Sequence, residues 1–408
     1  MTVDRNPIDW PSAWKNPDML DLLKGSVINC LLIEKGAGLE AVATRARQQG
    51  LTVAAPDDAI AGVTVIKGEW PGVQLSEGGS DQASAGPTGE PWVDSNGWQI
   101  RLAAALQPGS AVWVSAAPKD GHARPEAHVM ALADAAAYGG RWIVTLDNDL
   151  AKGIEARNPP ALEAWKKISG AASFFDAHKA WLDYTPQAVL GVVSDFSGQD
   201  EFLSHELLNL VARTNQQYRI VVKSKASAAN FSGLRAVLYA DAQPPEVGLR
   251  RQILGLVEAG GMLITGHQWG DPGGAPARGE DHPRYDLRVV GKGRLAMAKA
   301  AFDDPYVIAQ DAVVLMSHRY ELLRFWNPGA LGSYLTTAPD GKRTLAQMLF
   351  YTASQEGPTS VRVVGRYRTA RLWTLDRPAA RGVETIAQKD AVELHLPAVS
   401  VYAAVELE

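Results

Sequence analysis

A regular alternation of short apolar runs and amphipathic stretches fills residues 187–266 and constrains the fold more than any other feature. The apolar runs predict strands at 187–196, 219–224, 234–241 and 262–266. The stretches between them predict helices at 201–216, with leucines at helical spacing, and at 247–260, which stops at Gly260-Gly261. Continuous apolar strands that alternate with such helices are typical of a parallel sheet covered on both faces. We therefore predict an α/β domain over residues 186–328.

The first 185 residues carry the same alternation. Apolar runs predict strands at 26–34, 51–55, 63–68, 73–77, 111–118 and 141–147. Helices are predicted at 38–50, 99–109, 124–140 and 160–182. Such β/α repeats join parallel strands by right-handed crossovers. A complete (β/α) barrel has eight strands, so about six strands over residues 1–185 predict a shortened or irregular barrel.

The last third of the chain has a different pattern. Residues 285–302 predict two strands joined at a Gly-Lys-Gly turn, and residues 304–326 predict one helix that packs back on the middle domain. Short alternating segments follow, with a Pro-Asp-Gly-Lys turn at 339–342 that predicts a hairpin. We predict a small antiparallel β-sandwich over residues 329–408.

Composition excludes several classes of function. The chain has 408 residues, of which 46% are hydrophobic and 21% charged, and its net charge is −5. This negative balance argues against nucleic-acid and anionic-membrane partners. The amino terminus, MTVDRNPIDWPSAW, lacks a basic and then apolar signal region. We expect a cytoplasmic protein, or a secreted or periplasmic one whose leader has been removed.

The sequence predicts neither a cofactor nor a metal. The turn VVSDFSGQD, after the first strand of the middle domain, has a single glycine and is not a phosphate-binding loop. The spacing of His122 and His128 matches no common metal site. Cys30, the single cysteine, lies inside an apolar run, where a buried and inert thiol is expected.

The phrase LVEAGGMLITGH in the middle domain supports a resemblance to a known family. It is similar to the flavodoxin-like trimerisation domain of one group of bacterial β-galactosidases. The order of parts also resembles theirs: a barrel, this domain and a small β-domain. The resemblance implies a carbohydrate partner and a homo-oligomer, with a trimer as the assembly of the relatives.

The resemblance also implies where catalytic acids should stand, and here the chain departs from the family. In those enzymes the nucleophilic glutamate ends the next-to-last barrel strand. The matching strand at 111–118 ends in Ser115-Ala116-Ala117, without a carboxylate. The Asn-Glu pair that carries the family's acid/base has no match in the first 185 residues.

Other carboxylates do lie at predicted strand ends. Glycosidases need two carboxyl groups, about 5 to 5.5 Å apart in retaining enzymes and about 6.5 to 9.5 Å apart in inverting ones. The strand-end acids are Glu34, Glu69, Glu77 and Asp147, with Asp149 just beyond. We take Glu69, Glu77 and Asp147 as the catalytic candidates, on position alone.

Tryptophans in loops suggest a surface for sugar rings. The chain has 12 tryptophans, many of them beside Gly, Pro or Asp. The loop TGEPWVDSNGW (88–98) combines acids, an amide and two indoles between a strand and a helix. The predicted substrate-binding residues are Trp70, Trp92, Asp94, Asn96 and Trp98. The alternative interpretation is that Asp94 or Ser95 caps the helix that begins at Trp98.

These observations leave more than one function open. The first hypothesis is a glycoside hydrolase with a reduced barrel. The second is an inactive sugar-binding or assembly protein that kept the scaffold without the carboxylates. A third is a hydrolase or lyase that acts on a substrate other than a sugar. Because fold does not fix function, they must be separated at the site itself.

Overall fold

The computed structural model describes residues 5–73, 92–117, 124–271, 273–352 and 357–408. The elements up to residue 183 are β1 (Pro7–Asp9), β2 (Cys30–Leu32), α1 (Glu40–Gln48), β3 (Thr52–Ala54), β4 (Val63–Lys67), β5 (Gly72–Val73), β6 (Val93–Asp94), α2 (Gly97–Leu106), β7 (Ala111–Ser115), α3 (Pro125–Ala137), β8 (Arg141–Trp142), β9 (Val144–Thr145), α4 (Asn148–Glu155) and α5 (Pro159–Ala177). Short 3-10 helices occupy Pro17–Leu23 and Lys179–Asp183.

The strands of this first region form two parallel sheets that meet at one point. Their orders are β3-β2-β1-β9 and β4-β7-β8, and β5 pairs with β6 in a separate hairpin. Only Ile143 separates β8 from β9, and its N–H donates to the carbonyl of Val114 on β7. The two sheets therefore continue into each other there. No pairing joins β3 to β4 within the described ranges, so the ring is not closed and a barrel stays a prediction.

Both sheets of the first region face one apolar interior. Cys30 and Leu32 on β2 pack with Trp113 on β7 and with Ile143 in a single buried cluster. Each of the two sheets therefore turns one face towards this cluster. Burial in this cluster raises the pKa of the Cys30 thiol to about 11, so the thiol is protonated and unreactive near neutral pH.

Helices cover the opposite face of these strands. Ile8 and Val114, which point away from the interior, belong to a second cluster with Trp165 and Ile168 of α5. Trp165 also donates its indole N–H to the carbonyl of Leu22, at 3.2 Å. The result is the two-layer arrangement expected of β/α repeats, with strand ends facing one side of the molecule.

The middle region forms a doubly wound sheet. Its elements are β10 (Thr185–Pro186), β11 (Leu190–Ser194), α6 (Glu201–Arg213), β12 (Tyr218–Val222), α7 (Ala228–Phe231), β13 (Ala236–Tyr239), α8 (Val247–Glu258), β14 (Met262–Thr265), β15 (Ala275–Pro276), β16 (Tyr285–Val290), β17 (Gly293–Ala298) and α9 (Pro305–Met316). The sheet has the order β12-β11-β13-β14-β17-β16-β15, and the first five strands are parallel. Counted from β11, these five run 2-1-3-4-5, which is the order of flavodoxin-like sheets.

The carboxyl-terminal region is built from two antiparallel sheets. Its strands are β18 (Leu323–Trp326), β19 (Leu331–Thr337), β20 (Thr344–Phe350), β21 (Thr359–Val364), β22 (Ala370–Thr374), β23 (Arg377–Gly382), β24 (Thr385–Ala387), β25 (Ala391–Leu396) and β26 (Val401–Leu407). The sheets are β10-β19-β20-β26-β22-β23 and β18-β21-β25-β24, and their inner faces share one core. The hairpin predicted at 339–342 is confirmed by the pairing of β19 with β20.

The single helix predicted over residues 304–326 is wrong. Asp304 caps α9, which ends at Met316 because Ser317 adopts a left-handed backbone with φ of 73°. After a 3-10 turn, β18 pairs with β21 of the terminal sheets. The alternation in this strand buries Leu323 and leaves Arg324 exposed, and this pattern of period two was hidden within a predicted helix.

None of the helices within the described ranges is long and apolar enough to cross a bilayer.

Candidate active site

An open cleft lies where β4 and β7 end. Lys67 and Ser115 are partners in the β4–β7 register, so their side chains lie side by side. Glu69 is exposed on the β4 side of the cleft, and Ala116 and Ala117 line the β7 side. Loops and side chains at the carboxyl ends of parallel strands carry the active sites of β/α folds. This cleft is therefore the candidate site.

Two further carboxylates lie at the same end of the neighbouring sheet. Asp9 is in register with Leu32 on one side and with Thr145 on the other, so it shares the face of Leu32, which packs in the interior cluster. Glu34 comes two residues after Leu32 and is exposed. Burial raises the pKa of Asp9, and the negative charge of Glu34 raises it further. This pair has the electrostatics of an acid beside a charged carboxylate.

Sequence reasoning found Glu34 but missed Asp9. The strand that carries Asp9 has only three residues, Pro7–Asp9, and a proline at its start. Such a segment shows no periodicity, so it was not predicted as a strand. The sequence did contain one signal, the apolar Ile8 beside an acid and Trp10. This signal becomes informative only when the pairing of β1 with β2 and β9 is known.

Asn96, a predicted substrate-binding residue, is fully buried and holds the backbone of Glu69. Its Oδ1 accepts from the Glu69 N–H at 2.8 Å, and its Nδ2 donates to the Glu69 carbonyl at 2.9 Å. The Asn96 N–H and Nδ2 both donate to Asp134 Oδ2, at 2.9 and 3.1 Å. These bonds make Asn96 a positioning residue for Glu69. They leave none of its side chain on the surface.

Asp147, a predicted catalytic residue, is buried at the start of α4. Its Oδ1 accepts from the N–H groups of Asp149 and Leu150, at 3.0 and 2.9 Å, which makes it the N-cap of this helix. Its Oδ2 lies 3.8 Å from Nε2 of the buried His128, too far for a hydrogen bond. Burial lowers the pKa of His128, although the charge of Asp147 opposes the shift. The arrangement explains Asp147 structurally, and its catalytic role stays a prediction.

Trp70 lies at the edge of the cleft and packs against His128 of α3. Its indole N–H donates to the carbonyl of Ala117 at 2.8 Å. Its ring contacts His128 and Trp142 edge-on, with centroids 4.9 and 5.1 Å away. The side chain is 8% exposed, so only its margin reaches the cleft.

The other predicted substrate-binding residues lie on a different side of the 92–98 segment. The ring of Trp92 lies under the guanidinium of Arg213, 3.7 Å from its carbon. Asp94 is buried, and its charge acts on the same arginine. Trp98 lines a cavity between the three regions of the molecule. The structure thus separates Trp92 and Trp98 from Trp70, while Glu77 lies outside the described residues.

Among the residues that the structure describes, no group of three or more His, Cys, Asp or Glu side chains is arranged to hold a metal ion.

No protein-family model matches the chain, and no curated protein is significantly similar to it. Solved structures do match. An α-L-fucosidase isoenzyme from Paenibacillus thiaminolyticus aligns over 76% of this chain and 63% of its own, with 14% identity and a TM-score of 0.50. A rhamnosidase from Novosphingobium sp. PP1Y aligns over 91% of this chain and 38% of its own, with 12% identity and a TM-score of 0.50.

A β-galactosidase from Rahnella sp. R3 is also similar, over 76% of this chain and 57% of its own, with 10% identity and a TM-score of 0.49. The chain spans less than two thirds of the length of each of these enzymes. At such identities the likeness concerns the fold alone. This protein has a mixed α/β structure with a glycosidase-like fold.

Proposed function

We propose that this protein acts on carbohydrate as a glycoside hydrolase with a reduced (β/α) barrel. The observation that carries the proposal is that Asp9, Glu34 and Glu69 lie at or just beyond the carboxyl ends of β1, β2 and β4. Carboxyl groups at this end of the strands are what glycoside hydrolysis requires. The likeness to solved glycosidases supports the same reading.

The environments of these acids suggest their roles. Because burial and the charge of Glu34 raise the pKa of Asp9, this carboxyl is better suited than the exposed ones to donate a proton to the leaving oxygen. Glu34 and Glu69 are exposed and suited to act as the charged partner, either as nucleophile or as base. Glu77 and Asp147 remain proposed alternatives for that partner. Trp70 would contribute its margin to sugar stacking.

The second candidate is a sugar-binding protein without hydrolytic activity. It is favoured by one observation, that β7 ends in Ser115-Ala116-Ala117, where the resemblance to the galactosidases implies a glutamate. Such a protein would bind sugar in the same cleft without turnover.

A screen of aryl glycosides of galactose, fucose and rhamnose tests the two. We expect turnover that falls by about 100-fold or more in Asp9→Asn and in either Glu34→Gln or Glu69→Gln. Glu77→Gln and Asp147→Asn complete the set, and the exposed Glu163→Gln is the matched control. Sugar binding without any turnover would favour the second candidate. Turnover that survives all five substitutions would refute the proposed site.

We also propose a homo-oligomer, with a trimer as the assembly, on the resemblance of the middle region to a trimerisation domain. Light scattering coupled to size exclusion tests it directly. A monomer at all concentrations would refute this part of the proposal without affecting the site.

A further inference from the structure

A chain of hydrogen bonds runs from the carboxyl-terminal region to the candidate site. It begins at Tyr351, which directly follows β20, and passes through Asp134 of α3 and Asn96 before it reaches Glu69. Tyr351 is 6% exposed, and Asp134 and Asn96 are fully buried. The groups that link the two regions are therefore shielded from solvent, and hydrogen bonds are stronger in such surroundings than in water.

The middle of this chain is an acid on an otherwise apolar helix face. Asp134 shares one face of α3 with Met130, Ala133 and Ala137, because residues three and four apart are neighbours on a helix. These three apolar residues pack in one cluster with apolar side chains of β20 and β26. A carboxylate without partners would be costly in such an interface, so the bonds that it makes must account for its presence.

Asp134 accepts two hydrogen bonds on each of its oxygens. Oδ1 accepts from the hydroxyls of Ser95 and Tyr351, both at 2.7 Å. Oδ2 accepts from the N–H and from Nδ2 of Asn96, at 2.9 and 3.1 Å. A carboxylate has about four acceptor positions. All four are used, so the group is held in one orientation and joins three parts of the chain.

The orientation of Asn96 in turn decides where the Glu69 peptide lies. Asn96 Nδ2 donates to the Glu69 carbonyl as well as to Asp134, and Asn96 Oδ1 accepts from the Glu69 N–H. If the Asn96 side chain turned, it would lose bonds to both partners at once. The Tyr351 hydroxyl acts at the far end of the same chain, because it binds the Asp134 oxygen that Asn96 does not bind.

We propose that Tyr351 is a positioning residue for Glu69, and that the carboxyl-terminal region thereby completes the candidate site. Tyr351 is not among the residues that line the cleft, and it acts through Asp134 and Asn96. Side chains that are locked by such outer hydrogen bonds keep a site within the narrow geometric tolerance that catalysis needs. The importance of this geometry rests on the role of Glu69 in the proposed function.

Hydrogen exchange at the Glu69 amide tests the chain of bonds without a substrate. In the full chain carrying isotope-labelled glutamate, we expect Tyr351→Phe to speed this exchange about threefold or more, because Asn96 loses part of its support. Tyr402→Phe is the matched control. Its hydroxyl is also buried and donates to Gln347 Oε1 at 2.7 Å, and Gln347 Nε2 donates to the carbonyl of Ala137. These bonds do not lead to Glu69, so exchange there should match the wild type.

Asn96→Ala supplies a double-mutant test of the route. Because the chain passes through Asn96, adding Tyr351→Phe to Asn96→Ala should change exchange at Glu69 by less than about twofold. A full additional effect in the double variant would overturn the proposal. Unchanged exchange in Tyr351→Phe, or equal acceleration in Tyr402→Phe, would also overturn it.

Turnover of aryl glycosides gives the catalytic readout. In Tyr351→Phe, kcat should fall about fivefold or more while KM stays nearly constant, because a displaced Glu69 weakens the chemical step more than binding. Tyr402→Phe should keep the wild-type kcat. A normal kcat in Tyr351→Phe, in a protein whose turnover depends on Glu69, would overturn the positioning role. A wild type without turnover would refute the proposed function, and exchange at Glu69 would still decide the positioning role separately.

Discussion

The two parallel arrays of this molecule treat the carboxylates at their strand ends in opposite ways. In the middle sheet, Asp195 follows β11 and Asp241 follows β13, and Lys223 after β12 lies between them. The Lys223 Nζ is 2.6 Å from Asp241 Oδ1 and 3.5 Å from Asp195 Oδ2. In the first region, Glu34 and Glu69 are exposed at the corresponding ends.

This difference indicates at which strand ends a ligand is expected to bind. The carboxyl ends of β11 and β13 form the switch point at which flavodoxin-like sheets bind ligands. Here the protein's own lysine and carboxylates fill that place with hydrogen bonds. In the first region, the Asn96 side chain instead holds the backbone of Glu69 with two hydrogen bonds, and the Glu69 side chain lies at the surface. The charged groups of the middle sheet bond to one another, whereas the Glu34 and Glu69 side chains lie at the surface.

The largest expected effect comes from Lys223→Met. It strands the fully buried Asp241 without its cation, and we expect the free energy of unfolding to fall by about 3 kcal/mol in urea titrations near neutral pH. Lys35→Met removes an equally short but exposed pair with Asp58 and should change stability far less. Equal losses in the two variants would show that the middle cluster is no more structural than a surface pair.

Asn96→Ala should have the next largest effect. It removes the side-chain partners of the part-buried N–H and carbonyl of Glu69 and one bond to the buried Asp134, for a loss of about 2 kcal/mol in unfolding free energy. Any turnover should also fall, because Glu69 loses its fixed backbone. The exposed Asn158, whose side chain makes no capping bond, supplies the Asn→Ala control. A stable variant with full activity would contradict the positioning role.

The smallest expected effect distinguishes the two arrays best. Replacing a strand-end aspartate by asparagine should stabilise the protein at pH 7 in the first region and destabilise it in the middle sheet. The raised pKa of Asp9 means that its charge opposes folding above the unfolded pKa of about 4. Asp9→Asn should therefore stabilise the protein at pH 7 by less than about 1 kcal/mol, and the gain should vanish at acid pH.

Asp195 supplies the opposite case. Burial raises its pKa, but bonds from Ser224 and the charge of Lys223 lower it on balance. Its contribution to stability is present above the unfolded pKa and is lost as the pH falls through the folded pKa. Asp195→Asn should destabilise at pH 7, with the loss shrinking at acid pH. Unfolding curves at both pH values that show the same sign for Asp9→Asn and Asp195→Asn would break the comparison.

Sequence alone predicted those parts of the fold in which periodicity is long. The helix at Glu201–Arg213 and the strands on either side of it lie close to their predicted bounds. Two short strands, Pro7–Asp9 and Thr185–Pro186, were missed because neither lies within a longer apolar run. Distant partners supply their hydrogen bonds, and a local pattern does not contain that information.

Only part of the candidate site could be predicted from the sequence, for the same reason. Glu34 and Glu69 were recognised because they end apolar runs, a property that the local sequence holds. The 92–98 segment was expected at the cleft, yet Trp92 and Trp98 contact Arg213 and His205 of the middle region. The domain that each side of a loop contacts depends on packing between regions, which a local pattern does not contain. The positioning role of Asn96 likewise becomes visible only when its hydrogen bonds to Glu69 are known.

The two-residue strand Thr185–Pro186 has a consequence for the order in which the chain can be completed during synthesis. It pairs with Thr336 and Thr337, and the neighbouring Gln187 bonds Thr337 across 150 residues. On the ribosome, the pairing of Thr185–Pro186 therefore waits until the rest of the middle region and β19 have been translated. Contacts of such long sequence separation slow folding, and a nascent chain cut after α9 would carry an edge with nothing to pair with.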